Sequence, residues 1–345
     1  DSIEEVSIPS GRDVSNLMAV ANSSESESVQ SPERMRLGQS ELAVSRIGAG
    51  TWQWGGRFYW GYGRQYDDND LATAFSACIE HGINWFDTAE LYGRGRSERI
   101  LGQLVNRPTL KPLVATKFFP YPWRLHRSSL RRALKASLRR LNAESVDLYQ
   151  LHFPLRPRDF LYWVDAIADV AEDGLIKAIG VSNFSADQTK RAHEALATRG
   201  LVLASNQVAY SLLNRSAEAN GVIDACRELG VSVIAYGPLG EGLLTGKYGP
   251  GSPPPLLRRL RLARNRLGSL PPLIELMRDI GSDHNATPSQ VALNWLIAKG
   301  TLPIPGVKSA EQGSDNAAAM TWVLSSDEIE VLDGATVRFM PGRPG

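Results

Sequence analysis

From residue 43 onward, short apolar runs alternate with longer stretches in which apolar residues recur every three or four positions. The short runs fall at 45–52, 84–89, 112–118, 146–152, 176–183, 205–210, 232–239 and 301–306. Most are continuously apolar, as parallel strands covered on both faces must be. The intervening stretches read as amphipathic helices. Leu71, Phe75 and Ile79 stand at i, i+4 and i+8, with Gly82 behind them as a stop. Leu130, Leu134, Leu138 and Leu141 form one stripe, and Arg131, Arg132, Lys135, Arg139 and Arg140 form a solvated face. Ser97 is placed to cap the helix carrying Leu101 and Leu104. Ser185 with Gln188 reads as a capping box, and Thr287-Pro288 as a cap and first turn of a helix ended by Gly300.

Eight strand–helix alternations predict an α/β fold, a (β/α)8 TIM barrel. A doubly wound sheet would need a G-x-G-x-x-G turn after its first strand, and here Gly48-Ala49-Gly50 runs into Thr51-Trp52-Gln53-Trp54. Residues 35–47 add an N-terminal hairpin around Gly38-Gln39. Residues 249–272 form a long Pro-, Gly- and Arg-rich connection after the seventh strand. Its Arg258, Arg259, Arg261, Arg264 and Arg266 read as surface charge.

Composition changes this picture at one end. Residues 1–32 hold no aromatic residue and six acids against Arg12 alone, so they carry −5 while the whole chain carries +1. Such a stretch cannot bury enough apolar surface to order itself, and reads as a flexible, disordered acidic tail before a domain spanning 33–340. The remainder is ordinary: the chain is 43% hydrophobic and 22% charged. The near-neutral balance excludes a polyanion binder, no nucleic-acid module is present, and no 18-residue apolar run could span a membrane. Cys78 and Cys226 read as buried thiols. A chain of this size can build its own core, which fits a monomer or a weak homo-oligomer.

In a barrel, reactive groups gather where the strands end. The sequence puts Asp87 there, with Tyr92 just beyond, then Lys117, His152, Ser182-Asn183, Asn206-Gln207 and Tyr236. These residues complement one another. An ammonium beside a phenol favours the phenolate and lowers a pKa that is ordinarily about 10. Asp87 can hold Lys117 charged, and His152 can hydrogen-bond a substrate oxygen. That chemistry suits carbonyl reduction. No Ser or Cys nucleophile stands with a His base, and no ligand spacing supports a metal. Trp54 and Trp123, with Trp52 and Trp60, are candidate apolar walls; Tyr92 and His152 would meet the substrate itself.

These motifs resemble the aldo-keto reductase superfamily. Phe86-Asp87-Thr88-Ala89 with Tyr92-Gly93 is similar to its Asp and Tyr motif, Ala115-Thr116-Lys117 to its Lys strand, and Leu151-His152 to its His strand. Gly180-Val181-Ser182-Asn183-Phe184 and Asn206-Gln207 resemble its nicotinamide-binding segments, and Tyr236 its stacking aromatic. The segments 204–208 and 243–248 are similar to those of the longer bacterial and plant chloroplast oxidoreductases of the superfamily.

The resemblance implies NADPH-dependent reduction of an aldehyde or ketone to an alcohol, with the proton from Tyr92, and no Rossmann domain. It assigns the cofactor to Gly50, Thr51, Trp52 and Asp87, to Ser182, Asn183, Gln207 and Tyr236, and to Gly237, Pro238, Leu239, Gly242 and Lys247. It adds Ile304, Gly306, Lys308, Gln312 and Asn316 at the adenosine end. Two positions depart from the pattern. Gln312 stands where relatives often carry a phosphate-gripping Arg, leaving Lys308 as the cation, and Gly237 stands where many carry Ser. Some relatives act instead as potassium-channel β subunits, so an NADP-binding regulatory protein with little turnover is the alternative. A Schiff-base lyase using Lys117 is disfavoured, because a charged, Asp-paired lysine is a poor nucleophile. The implied compartment is the chloroplast stroma or the cytoplasm.

Overall fold

A computed structural model describes residues 33–106, 111–248, 251–253 and 270–339. The expected acidic tail and the Arg258–Arg266 cluster lie outside the described residues. Ten strands are present: β1 (Arg34–Arg36), β2 (Ala43–Ser45), β3 (Ala49–Gly50), β4 (Trp85–Asp87), β5 (Leu113–Phe118), β6 (Val146–Leu151), β7 (Ile176–Ser182), β8 (Leu203–Ala209), β9 (Ser232–Tyr236) and β10 (Leu302–Ile304). β3 to β10 pair in parallel in chain order. The Gly48 and Gly50 amides donate to the Pro303 and Pro305 carbonyls at 3.0 and 2.9 Å, and Gly50 bridges Gly306, so the barrel closes on itself. Closure removes both sheet edges.

The helices are α1 (Arg57–Trp60), α2 (Asp68–Glu80), α3 (Arg96–Val105), α4 (Arg127–Leu141), α5 (Phe160–Glu172), α6 (Ala186–Ala197), α7 (Ser216–Ala219), α8 (Val222–Glu228), α9 (Leu270–Asp283), α10 (Pro288–Ala298), α11 (Ala310–Ala318) and α12 (Ser326–Thr336). Ser185 and Gln188 form the expected capping box of α6, and Thr287 caps α10 with Pro288 in its first turn. Ser97 does not cap. α3 starts at Arg96 behind Gly95, and the Ser97 hydroxyl is buried, where it bonds Thr51 and Thr88. The first barrel strand is shorter than the expected 45–52. Residues 43–45 belong to the hairpin, and the Thr51 amide turns to the Asp87 carbonyl at 2.9 Å.

Two apolar regions hold the fold. The larger fills the shell between strands and helices. The smaller lies inside the barrel, where Leu37, Leu42 and Val44 of the hairpin pack with Trp85, Ala115, Leu148, Ala178, Ile234 and Leu302. Side chains alternate along a strand with period two. Asp87, Lys117, Gln150, Gly180, Tyr236 and Ile304 therefore form the next inward layer above this apolar floor. Strand register agrees, pairing Lys117 with Gln150 and Gln150 with Gly180. Among the described residues no helix is long and apolar enough to cross a membrane.

Helix α3 lies so close to the end of α4 that a Cβ on Gly102 would meet the Arg140 carbonyl oxygen at 2.6 Å and the Leu141 backbone at 2.7 Å. Gly102→Leu is therefore expected to lose at least about 1–3 kcal/mol of stability through overpacking. A lower urea midpoint with unchanged NADPH affinity in the folded fraction would show it. An unchanged midpoint would contradict the close approach.

Candidate active site

Asp87 ends β4 and Lys117 lies one residue from the end of β5, both pointing into the barrel. Both are buried, and they form an ion pair. The Lys117 ammonium also donates to the Thr88 carbonyl at 2.9 Å and to the Tyr92 hydroxyl at 3.5 Å. The second carboxylate oxygen of Asp87 accepts the side-chain amides of Gln150 and Gln207, each at 2.9 Å. Tyr92 sits in a short 3-10 turn after β4, where Gly93 and Gly95 supply positive φ at +56° and +78°. His152 follows β6, and its ring meets that of Tyr92 edge-on with centroids 6.0 Å apart. The four residues expected to perform the chemistry thus stand together.

Their electrostatics depart from expectation in one respect. Burial first, then the Asp87 and Tyr236 oxygens, hold the Tyr92 phenol well above its ordinary value. The expected lowering by Lys117 does not prevail over burial and the nearby Asp87 charge. Burial lowers the Lys117 ammonium, and Asp87 opposes that shift. Burial, with the Lys117 charge behind it, lowers the His152 imidazole to about 3. His152 is therefore neutral near pH 7, and its Nδ1 finds no hydrogen-bond partner among the described residues.

These groups open into a cavity of about 390 Å³ at the strand ends. Every residue expected at the cofactor site lines it, from Gly50 and Thr51 through Ser182 and Tyr236 to Lys308 and Asn316. The Tyr236 hydroxyl donates to the Asn183 amide oxygen at 2.9 Å, which fixes both side chains. Gly237 has φ +64°, and a Cβ there would meet no atom within 4 Å, so the backbone leaves open ground. Gln312 turns back to accept the Lys308 amide at 3.0 Å, and Ser309 caps α11 beside it.

Two expected substrate walls lie elsewhere. Trp54 is fully buried in the core, and its indole N–H donates to the Val307 carbonyl at 2.8 Å. Trp123 stacks on Tyr121 at 4.5 Å, is 73% exposed, and does not line the cavity. The lining aromatics are Trp52, Trp60, Tyr92, Phe153 and Tyr236. Phe153, Leu91, Gln150 and Glu241 were not foreseen. Glu241 accepts the Tyr59 hydroxyl, joining the turn at 240–245 to α1. Gln150 had a legible signal, since a polar residue two positions before His152 shares a strand face that is otherwise apolar at Val146 and Leu148.

An open Gly237 backbone, fixed amides and a lining lysine are features that a dinucleotide requires. The comparisons agree. A chloroplastic pyridoxal reductase of Arabidopsis thaliana is 42% identical over 85% of this chain and 84% of its own length. An uncharacterized oxidoreductase of Mycobacterium tuberculosis is 38% identical over 88% and 92%. Among solved structures, a glycerol dehydrogenase of Gluconobacter oxydans superposes with TM-score 0.78 at 26% identity, covering 91% of this chain and 98% of its own. An aldo-keto reductase of Klebsiella pneumoniae in complex with NADPH superposes with TM-score 0.69 at 28% identity, covering 90% and 97%. Residues 46–336 match the aldo/keto reductase family, and the chain belongs to that family of NADP(H)-dependent oxidoreductases.

Proposed function

We propose that the chain reduces a small, flat aldehyde to the alcohol, with Tyr92 as the proton donor and pyridoxal as the first substrate to test. The carrying observation is the placement of the Tyr92 hydroxyl 3.5 Å from a fully buried ammonium, on the wall of the cavity. The aromatic lining suits a flat ring, and the Arabidopsis relative is a pyridoxal reductase. That relative is chloroplastic, which supports the plastid stroma as the proposed compartment.

NADPH, when bound, supplies the hydride. The residues of the chain do the rest. Ser182, Asn183 and Gln207 would hold the nicotinamide amide, and Tyr236 would lie against its ring. Neutral His152 offers an N–H to the carbonyl oxygen and orients it. Tyr92, protonated at every physiological pH, passes its proton to that oxygen. The Lys117 ammonium stabilises the phenolate that forms, and Asp87 holds the ammonium in place. The phenol then regains its proton from solvent.

Two outcomes follow. Tyr92→Phe should keep NADPH binding and lose about 10²-fold or more in kcat, measured as NADPH oxidation with pyridoxal. Because His152 gains its proton only near pH 3, it is neutral on both sides of its usual value of 6.5 and contributes no acid limb near that pH. Such a limb in the parent, absent from His152→Gln, would overturn the neutral-imidazole role. NADPH binding without turnover of any carbonyl would overturn the proposal itself.

A third outcome concerns the cofactor. Gln312 offers no charge to the 2′-phosphate expected beside Lys308. Gln312→Arg should tighten NADPH binding by about tenfold or more and leave NADH unchanged, as read by fluorescence titration. Equal gains for both cofactors would remove Gln312 from the phosphate site.

A further inference from the structure

The amide of Gln150 lies 0% exposed in the barrel interior, between the ion pair and the cofactor wall. Its Nε2 donates to Asp87 Oδ2 at 2.9 Å, and its Oε1 accepts from Gln207 Nε2 at 3.1 Å. Gln207 Nε2 reaches the same Asp87 oxygen at 2.9 Å, so the three side chains close a triangle. The barrel makes room for it. A Cβ on Gly180, the register partner of Gln150 on β7, would stand 2.8 Å from Gln150 Cγ and 2.6 Å from Ser205 Oγ. One oxygen of Asp87 is taken by Lys117, and among the described residues the other has these two amides as donors.

We infer that Gln150 is a positioning residue that couples the proton-donating side of the site to the cofactor side. It fixes Asp87, and through Asp87 the Lys117 ammonium, while it fixes the rotamer of Gln207 on the cavity wall. This rests on the proposed roles of Lys117, Tyr92 and Gln207. A neutral amide suits the place for a reason of charge. Among the described residues Lys117 is the cation in contact with Asp87, and the titratable groups coupled to the pair are Tyr92, Tyr236, Glu98 and His152. A second anion at 150 would compete with Asp87 for that cation. An apolar side chain would leave an Asp87 oxygen and the Gln207 amide each one partner short.

Two full-length variants test it. Gln150→Met keeps the length and removes both hydrogen bonds, and Gln150→Glu keeps the shape and adds a carboxyl that must share a proton with Asp87. Each is measured for kcat with the best carbonyl substrate across pH, for NADPH affinity by fluorescence titration, and for melting temperature. The expected result for Gln150→Met is a fall in kcat of about tenfold or more and NADPH binding weakened several-fold. For Gln150→Glu it is an acid limb displaced to higher pH, since the shared proton must leave before the ammonium is fully balanced. Lower melting temperatures with the parental pH profile and NADPH affinity would mean a structural role only and would overturn the inference. Parental values throughout would overturn it as well. Tyr92→Phe run alongside separates the two readings: full activity there sinks the proton-donor assignment, whereas its inactivity beside parental Gln150 variants sinks this inference alone.

Discussion

A carboxylate and an ammonium, both removed from water inside a closed barrel, impose the terms for everything near them. Desolvating such a pair is costly, and attraction alone does not repay it unless the remaining lone pairs and protons find partners. Asp87 and Lys117 find them in the Thr88 carbonyl, the Tyr92 hydroxyl and two glutamine amides. The positions of those partners follow from strand register. The same period of two that buries Ala115 and Leu148 below puts Lys117 and Gln150 above. A shift of one residue in any of these strands would turn its polar group into the helix shell, where no partner waits.

Around this pair the protein spends side chains on scaffolding with no chemical task. Glu98 is buried between β5 and α4, where Thr116 donates to it at 2.7 Å and Arg140 at 2.5 Å. Arg124 grips Glu90 with both guanidinium nitrogens, and Glu90 also accepts the Phe119 amide at 2.7 Å, so the loop after β5 is tied to the loop after β4. Arg215, buried between Glu218 and Asp333, fastens α12 to the loop after β8. Such clamps keep a rim of loops in fixed relation to the strands that carry Asp87 and Lys117.

Much of this was legible in the chain. Continuous apolar strands separated by striped helices specify the barrel, and the polar residue that interrupts each strand near its end marks the site. Helix starts with a strong local signal, such as Ser185 with Gln188, were readable because the cap is made within four residues. Ser97 was misread because tertiary partners, Thr51 and Thr88, compete for the same hydroxyl. Trp54 and Trp123 show the limit of composition. Alternate residues of an irregular loop point to opposite sides, and nothing local says which side faces the cavity. The balance at Tyr92 was hidden for another reason: the sequence shows that a lysine is near, and only the three-dimensional arrangement shows that burial and the Asp87 charge outweigh it.

The hairpin of β1 and β2 has one more effect. Leu37, Leu42 and Val44 sit on Trp85, Leu148 and Leu302, and the indole N–H of Trp85 donates to the Ser45 carbonyl at 3.1 Å. The bottom of the barrel is stoppered with hydrocarbon. Among the described residues the cavity therefore opens at the strand ends, on the side away from the hairpin. On the proposed reading, water that returns a proton to Tyr92 would arrive by the route through which the alcohol leaves, and the reset of the site would be tied to the exit of its product.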